Sequence, residues 1–247
     1  RAAVFMEASL VPCHTYGEGG DCRTEGIRIE GTETCFTART PWGDAPMRVH
    51  LAGRHNVLNA LCALCIAGGL GLPIGEVAAG IEALRAVPGR FELVDAGQDF
   101  SVVVDYAHTE DGLRNVLRAA RELCPRRMLV VFGCGGDRDR TKRPKMGAAV
   151  AEAADFAILT SDNPRTEDPV CILRDVEAGM ETAGKVRDMD YLVIEDRAEA
   201  IHRAVGMATR GDLVLIAGKG HEDYQIIGEE RRHFDDREVA REALDGR

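Results

Sequence analysis

Met128-Leu129-Val130-Val131-Phe132-Gly133-Cys134-Gly135-Gly136-Asp137-Arg138-Asp139 decides how the chain folds. An apolar run of strand length enters a glycine-rich turn and then a charged segment. A strand with one wet face alternates apolar and polar residues. A run that is apolar at every position is buried on both sides, as strands of a parallel sheet are. The same grammar recurs at 101–105, 156–160, 191–194 and 213–217. Helical stretches lie between these runs. Leu113, Val116, Leu117 and Ala120 share one face, as do Met146, Val150 and Ala153, then Ile172, Val176 and Met180, then Ile201, Val205 and Ala208. Pro169 falls where a first-turn proline belongs. Strands alternating with helices predict an α/β domain, a mostly parallel sheet with helices on both faces. The tail reads as a hairpin, 224–227 and 231–234 about Gly228, then a short helix near 236–244.

The first part of the chain has a different texture. Residues 1–50 carry short strand-like pieces, such as Gly26-Ile27-Arg28-Ile29 and Met47-Arg48-Val49-His50-Leu51. Residues 56–70 read as a nearly all-apolar, buried helix. Pro73 opens a second helix with Ile74, Val77, Ile81 and Leu84 on one face, and Pro88-Gly89 breaks it. A domain boundary is expected near residue 88.

Composition narrows the function. The 247 residues are 45% hydrophobic and 29% charged, with a net charge of −10. No run approaches the roughly 20 apolar residues of a membrane span. The acidic balance argues against broad nucleic-acid binding. Among the 8 cysteines, Cys62-x-x-Cys65 has no second pair at zinc spacing and reads as helix core. No metal ligands are expected in this stretch. No signal peptide precedes the start, so the cytoplasm is the expected compartment. The chain opens on Arg1 without Met and reads as a fragment.

Ligands of open parallel sheets bind beyond the carboxyl ends of the strands. Here the strands end in Asp105-Tyr106-Ala107-His108, in Gly133–Asp139, in Ser161-Asp162-Asn163-Pro164-Arg165 and in Gly218-Lys219-Gly220-His221-Glu222. Glu195-Asp196-Arg197, after the 191–194 run, is less distinctive. Gly133-x-Gly135-Gly136 reads equally as an anion cradle of backbone N–H groups or as a tight strand-to-helix turn. It is not a complete dinucleotide fingerprint. Arg138, Arg140, Lys142, Arg143 and Lys145 are either a solvated face or, the favoured reading beside a glycine loop, a site for an anion. Arg165 offers a fork for a carboxylate, and Asp162 and Asn163 offer acceptors for an ammonium. Together these could hold an amino-acid zwitterion. His108 suits the phosphate side of a ligand as well as a core edge. His14, His50, His202 and His233 read as structural or surface groups.

With these segments assembled, the chain resembles the Mur ligase family. The resemblance rests on Gly53-Arg54-His55-Asn56-Val57-Leu58-Asn59-Ala60, Gly89-Arg90-Phe91-Glu92, Val104-Asp105-Tyr106-Ala107-His108-Thr109, the Phe132–Asp139 segment, Asp162-Asn163-Pro164-Arg165-Thr166-Glu167 and Gly218-Lys219-Gly220-His221-Glu222-Asp223-Tyr224-Gln225. They stand in the family's order and cover the chain from about residue 47 onward. The resemblance implies that 1–88 is the later part of an α/β ATP-binding central domain. It makes 89–247 a Rossmann-like C-terminal domain that binds the incoming amino acid.

It also implies a reaction. ATP, with Mg²⁺, converts the γ-carboxyl of D-glutamate in UDP-N-acetylmuramoyl-L-alanyl-D-glutamate to an acyl phosphate. The amine of meso-diaminopimelate then attacks and phosphate leaves, a step of peptidoglycan synthesis. By resemblance Asn56 meets the adenine. Arg90 and Asp105 hold the phosphate and ribose sides of ATP, and His108 lies near the phosphates. His108 and Lys219 are the implied catalytic groups. Arg138 meets a carboxylate of diaminopimelate. Asp162, Asn163, Pro164, Arg165, Gly218 and Glu222 form the pocket for its distal end. The implied partners are these small molecules, acting on a cytoplasmic monomer that binds neither nucleic acid nor membrane.

Three other readings are weighed against this one. A relative adding lysine would not need Arg165, because lysine has no distal carboxylate. A nucleotide-dependent oxidoreductase would need the missing fingerprint. A non-catalytic amino-acid-binding module would bind diaminopimelate without turnover. The family's Gly-x-x-Gly-Lys-Thr phosphate loop does not occur in these 247 residues, nor does any Gly-x-x-x-x-Gly-Lys-[Ser/Thr]. The Mg²⁺ ligands are expected upstream. The isolated chain is therefore expected to show no ATP-dependent ligation in a coupled ADP-release assay, and measurable turnover would overturn that expectation.

Overall fold

The computed structural model describes residues 2–30, 33–51 and 53–247. Arg1, the non-Met start, lies outside the described residues. Two compact units divide the chain, Arg1–Ala86 and Val87–Arg247.

The first unit holds α1 (Ala2–Ala8), β1 (Arg23–Glu30), β2 (Glu33–Thr40), β3 (Gly43–Val49), α2 (Arg54–Gly69) and α3 (Ile74–Ala83). The three strands form an antiparallel sheet in the order β1-β2-β3, with a register break between Glu25 and Arg28. Side chains alternate across a sheet. Phe36, Ala38, Ala45, Met47 and Val49 therefore share one face and pack on Val57, Leu61, Leu64, Ile74 and Ala78 of the two helices. Two expectations need correction. Helix α2 is not buried all round, because Leu58, Ile66 and Leu70 are exposed on the side its sheet does not cover. Helix α3 stops at Ala83, and Leu84 is extended and exposed, so no burial holds a further turn.

The second unit contains β4 (Glu92–Leu93), β5 (Ser101–Asp105), α4 (Glu110–Leu123), β6 (Met128–Phe132), α5 (Lys142–Ala153), β7 (Phe156–Leu159) and α6 (Pro169–Thr182). It continues with β8 (Tyr191–Val193), α7 (Arg197–Met207), β9 (Leu213–Ala217), β10 (Tyr224–Ile227), β11 (Glu230–His233) and α8 (Asp236–Asp245). The sheet order is β4-β5-β9-β6-β7-β8. Only the β4–β5 pair is antiparallel.

Alternation again assigns the faces. Val102, Val104, Leu129, Val131, Ile158, Val214 and Ile216 form one core with Ala200, Ile201, Ala204 and Val205 of α7 and Ala240, Ala243 and Leu244 of α8. Helices α4, α5 and α6 bury Leu113, Val116, Leu117, Met146, Val150, Ile172 and Val176. Thr109, Asp168, Asp196 and Asp235 cap α4, α6, α7 and α8 by accepting backbone N–H bonds from the first turn. The caps start each helix just beyond a loop and fix where that loop ends.

One ion pair inside this unit has no solvent contact. Arg197 and Asp236 are both fully buried, joined through Nε–Oδ1 at 2.8 Å and Nη2–Oδ2 at 2.7 Å. The guanidinium also donates to the carbonyls of Ala217 at 3.1 Å and Ser161 at 3.4 Å. It thus holds the chain just after β7 to the end of β9. Removing one partner of a buried pair leaves a desolvated charge, which costs about 3–5 kcal/mol. Arg197→Met should lower the unfolding free energy measured in urea by that amount and Arg197→Met/Asp236→Leu by much less. A single variant as stable as wild type would refute the role.

Candidate functional site

The sheet order puts β5, β9, β6 and β7 side by side, so the four polar segments leave one edge as neighbours. They enclose a cavity of about 470 Å³. Arg138, Lys142, Asp162, Asn163, Arg165 and Glu222 line it, with Tyr106 and His108 on one wall.

Close approach explains two glycines of the loop after β6. A Cβ on Gly133 would stand 2.2 Å from the Thr160 carbonyl oxygen, and one on Gly136 1.9 Å from that of Pro164. The Gly136 N–H donates to the Asn163 carbonyl at 2.9 Å. Both residues therefore press this loop against the one after β7. Of the two sequence readings, the tight turn describes them. Gly135 alone of the three lines the cavity. Cys134 is no nucleophile in this turn, since burial pushes its thiol up to about 12.

The basic run divides into two groups. Arg138, whose Nη1 donates to the adjacent Asp137 carbonyl, and Lys142 face the cavity. Arg143 does not, which corrects its expected place in an anion site. It is fully buried, with its guanidinium on Glu167 at 2.6 and 3.0 Å and on Asp175 at 2.9 Å. Arg140 pairs with Asp175 at 3.1 Å. Glu167 also accepts the Asp137 N–H at 2.6 Å. This network holds the turn that presents Arg138, with Asp137 in the left-handed region at φ 53°.

The loop after β7 forms the opposite wall. Asp162, Asn163 and Pro164 are buried, and Arg165 is half-buried at φ 53°. Its Nη1 donates to the Gly136 carbonyl at 2.8 Å. The hairpin of β10 and β11 fixes this loop. Arg165 N–H donates to the Ile226 carbonyl at 3.0 Å, and Gly228 N–H to the Arg165 carbonyl at 2.7 Å. Glu222 accepts from Asn163 Nδ2 at 3.0 Å. Gly218 has φ 125°, and a Cβ there would meet Asp162 Oδ2 at 2.7 Å, so a side chain would displace that carboxylate. Lys219 sits beneath the cavity rather than on its wall. It is fully buried, and burial lowers its pKa.

The β5 end is aromatic and basic. Asp105 accepts the N–H of Phe91 and of Ala107, both at 2.8 Å, one on each carboxylate oxygen. It thereby holds the Gly89–Phe91 turn in place, with Phe91 at φ 47°. Arg90 is exposed and lies 4.6 Å from the centroid of the Tyr106 ring. The Tyr106 ring also contacts His108 at 4.6 Å and His221 at 5.0 Å. Burial first, then the charge of Glu222, raises the Tyr106 pKa. His108 is exposed, with Nδ1 2.8 Å from the Tyr106 carbonyl, so its Nε2 is the free ring nitrogen.

Asn56 belongs to the other unit. It lies in the first turn of α2 and accepts from Asn59 at 3.0 Å. Among the described residues no group of three or more His, Cys, Asp or Glu could hold a metal ion. Among them no helix is long and apolar enough to cross a membrane.

Tyr106, Arg197 and Tyr224 shape the site without an assigned role in the sequence, and Arg143 shapes it from a place other than the one assigned. Arg143 and Arg197 are the two whose burial the sequence could have signalled. Arg143 falls in step with Met146 and Val150, and Arg197 with Ile201 and Val205. A cation on an apolar helical stripe must be buried with a partner. The partners, Glu167 and Asp236, are distant in sequence and could not be read from it.

Comparison with known proteins adds an independent finding. A family model described as Mur ligase, glutamate ligase domain, matches residues 89–220. The chain is 45% identical over 250 residues to UDP-N-acetylmuramoyl-L-alanyl-D-glutamate–2,6-diaminopimelate ligase of Syntrophomonas wolfei, covering 100% of this chain and 50% of that protein. It is 55% identical over 240 residues to the protein of the same name from Solibacter usitatus, covering 97% and 45%. A solved structure of a ligase of that name, 37% identical, superimposes with a TM-score of 0.64 over 94% of this chain and 47% of the other. The chain spans about half the length of the curated relatives it matches.

The Arg143 network makes a pH prediction. The Arg143 guanidinium, then the Asp137 N–H, holds the Glu167 carboxyl at about 2, below its ordinary 4.5. Its stabilising contribution is complete above about 4.5 and is lost as pH falls toward about 2. Glu167→Gln should lower the melting temperature at pH 6, and the gap to wild type should close across that window. A gap independent of pH would show that the carboxylate charge plays no part.

Proposed function

The chain belongs to the Mur ligase family, and from that premise we propose that it is the later half of a ligase that adds meso-diaminopimelate to UDP-N-acetylmuramoyl-L-alanyl-D-glutamate. Residues 1–88 are then the later part of the central, ATP-binding domain. Residues 89–247 bind the incoming amino acid. The enzyme acts in the cytoplasm, as a monomer, on small molecules of peptidoglycan synthesis.

The observation that carries this reading is the pairing of opposite charges across one cavity. Arg138 and Arg165 face Asp162, Asn163 and Glu222 around it. Meso-diaminopimelate has an ammonium and a carboxylate at each end. Arg165 takes the distal carboxylate, while Glu222 and Asp162 take the distal ammonium. Arg138 meets the carboxylate beside the reacting amine. Pro164 and Gly218 shape the pocket without charge. Lysine offers no distal carboxylate and leaves Arg165 unanswered.

ATP supplies the phosphoryl group that makes the D-glutamate γ-carboxyl an electrophile. The chain's part is to place the amine against that carbon and to offset negative charge as the tetrahedral intermediate forms. Arg90, His108 and Lys142 are the exposed or half-exposed cationic or titratable groups at the β5 side, suited to phosphate oxygens. Asn56 and Asp105 complete the nucleotide assignments. Both Asp105 oxygens already hold backbone N–H groups, so its part is to position the Arg90 turn.

Arg165→Ala tests the pocket. A charge-assisted hydrogen bond of about 2 kcal/mol converts to roughly thirtyfold in affinity. Calorimetry should show meso-diaminopimelate binding weakened by that factor and lysine binding unchanged. Equal affinity of variant and wild type for meso-diaminopimelate would remove the assignment.

A further inference from the structure

Resting on the reading of this cavity as an amino-acid site, we propose that Lys219 is a positioning residue. Its buried ammonium locks the Asn163 carboxamide and balances Asp162 and Glu222, and so sets recognition of the ligand's distal ammonium.

A lysine has three donors and no acceptor. Lys219 Nζ donates to Asn163 Oδ1 at 3.0 Å and to the Tyr224 carbonyl at 2.6 Å. Asp162 Oδ1 and Glu222 Oε2 each lie 3.9 Å away. Asn163 Oδ1 accepts a second bond, from the Ile226 N–H at 2.9 Å. Two donors thus converge on one end of the carboxamide. Turning it over would set its NH₂ against an ammonium and an N–H. The NH₂ is therefore held toward Glu222 Oε2 at 3.0 Å. That leaves Glu222 Oε1, 3.5 Å from the Tyr106 hydroxyl, to face the cavity.

Charge makes the second half of the argument. Asp162 and Glu222 converge on the same small volume, and Asp236 adds a third carboxylate within electrostatic range of Lys219. Arg197 is another cation acting on Asp162 and Glu222, and its guanidinium donates to oxygens of Asp236, Ala217 and Ser161. The Tyr106 and Tyr224 side chains complete the surroundings. Without Lys219 the two carboxylates would repel each other from below the cavity, where the Arg197 guanidinium is already committed to Asp236. Repulsion would then displace Glu222 Oε1 from the place where it attracts an ammonium.

Three chains decide it: wild type, Lys219→Met and Lys219→Met/Glu222→Gln. Calorimetry compares meso-diaminopimelate with 2-aminopimelate, which lacks one ammonium. NMR measures solvent exchange of the Asn163 side-chain NH₂ in the ligand-free chain. Wild type should prefer meso-diaminopimelate by about tenfold or more. Lys219→Met should reduce that preference to about threefold or less and speed the Asn163 exchange by about tenfold. A parallel loss for both ligands with unchanged exchange would mean packing alone and overturn the proposal. If wild type binds no meso-diaminopimelate, the functional reading fails, while the exchange measurement still judges Lys219. If Lys219→Met does not fold, the double variant decides. A folded double variant with fast Asn163 exchange supports the charge balance. An unfolded one assigns Lys219 to the fold instead of the pocket and overturns it.

Discussion

Everything at the sheet edge depends on the buried pairing of Arg197 with Asp236. A planar guanidinium with five donors satisfies a carboxylate on one side and two main-chain carbonyls on the other. Those carbonyls belong to Ser161 and Ala217, the residues just before Asp162 and Gly218. The spacing between two walls of the cavity is thereby set from below. A lysine could not do this, because a point charge lacks the fork. The desolvation cost of the pair is offset by the hydrogen bonds that tie these two loops together.

The same device recurs at smaller scale. Arg143 joins Glu167 and Asp175 beneath the turn that presents Arg138. Lys219 joins Asn163 to the Tyr224 carbonyl beneath the wall that carries Glu222. In each case a buried cation ties a loop while an exposed or half-exposed cation nearby stays available to a ligand. The division reconciles a net charge of −10 with a cavity suited to carboxylates and phosphates. Cations count by where they point, and the acidic surplus lies elsewhere. The hairpin of β10 and β11 adds a main-chain lock, since Arg165 exchanges backbone hydrogen bonds with Ile226 and Gly228 and keeps its unusual φ.

Much of this was legible from residue order. Buried strands announce themselves because a parallel strand shows one chemistry on both faces. Pro169 marks a helix start by its fixed φ. The polar segments at Asp105, Gly133, Ser161 and Gly218 were readable because each follows its strand directly. The extent of α2 burial was less readable. An apolar helix does not state how many of its sides a neighbour covers, and the first unit's sheet covers only one.

By itself the sequence determined the strand–helix alternation and the four chemical segments, because each is a property of adjacent residues. Tertiary structure alone decided which cations face the cavity. Arg138 and Arg143 are five residues apart and look alike in the chain. One lies at the cavity and the other is buried, since only the fold brings Glu167 and Asp175 to meet the second. It also decided that Gly133 and Gly136 serve loop packing, and that Lys219, a catalytic group by resemblance, is buried beneath the cavity. Those outcomes depend on distances between residues far apart in the chain, and such distances exist only once the sheet has ordered its strands.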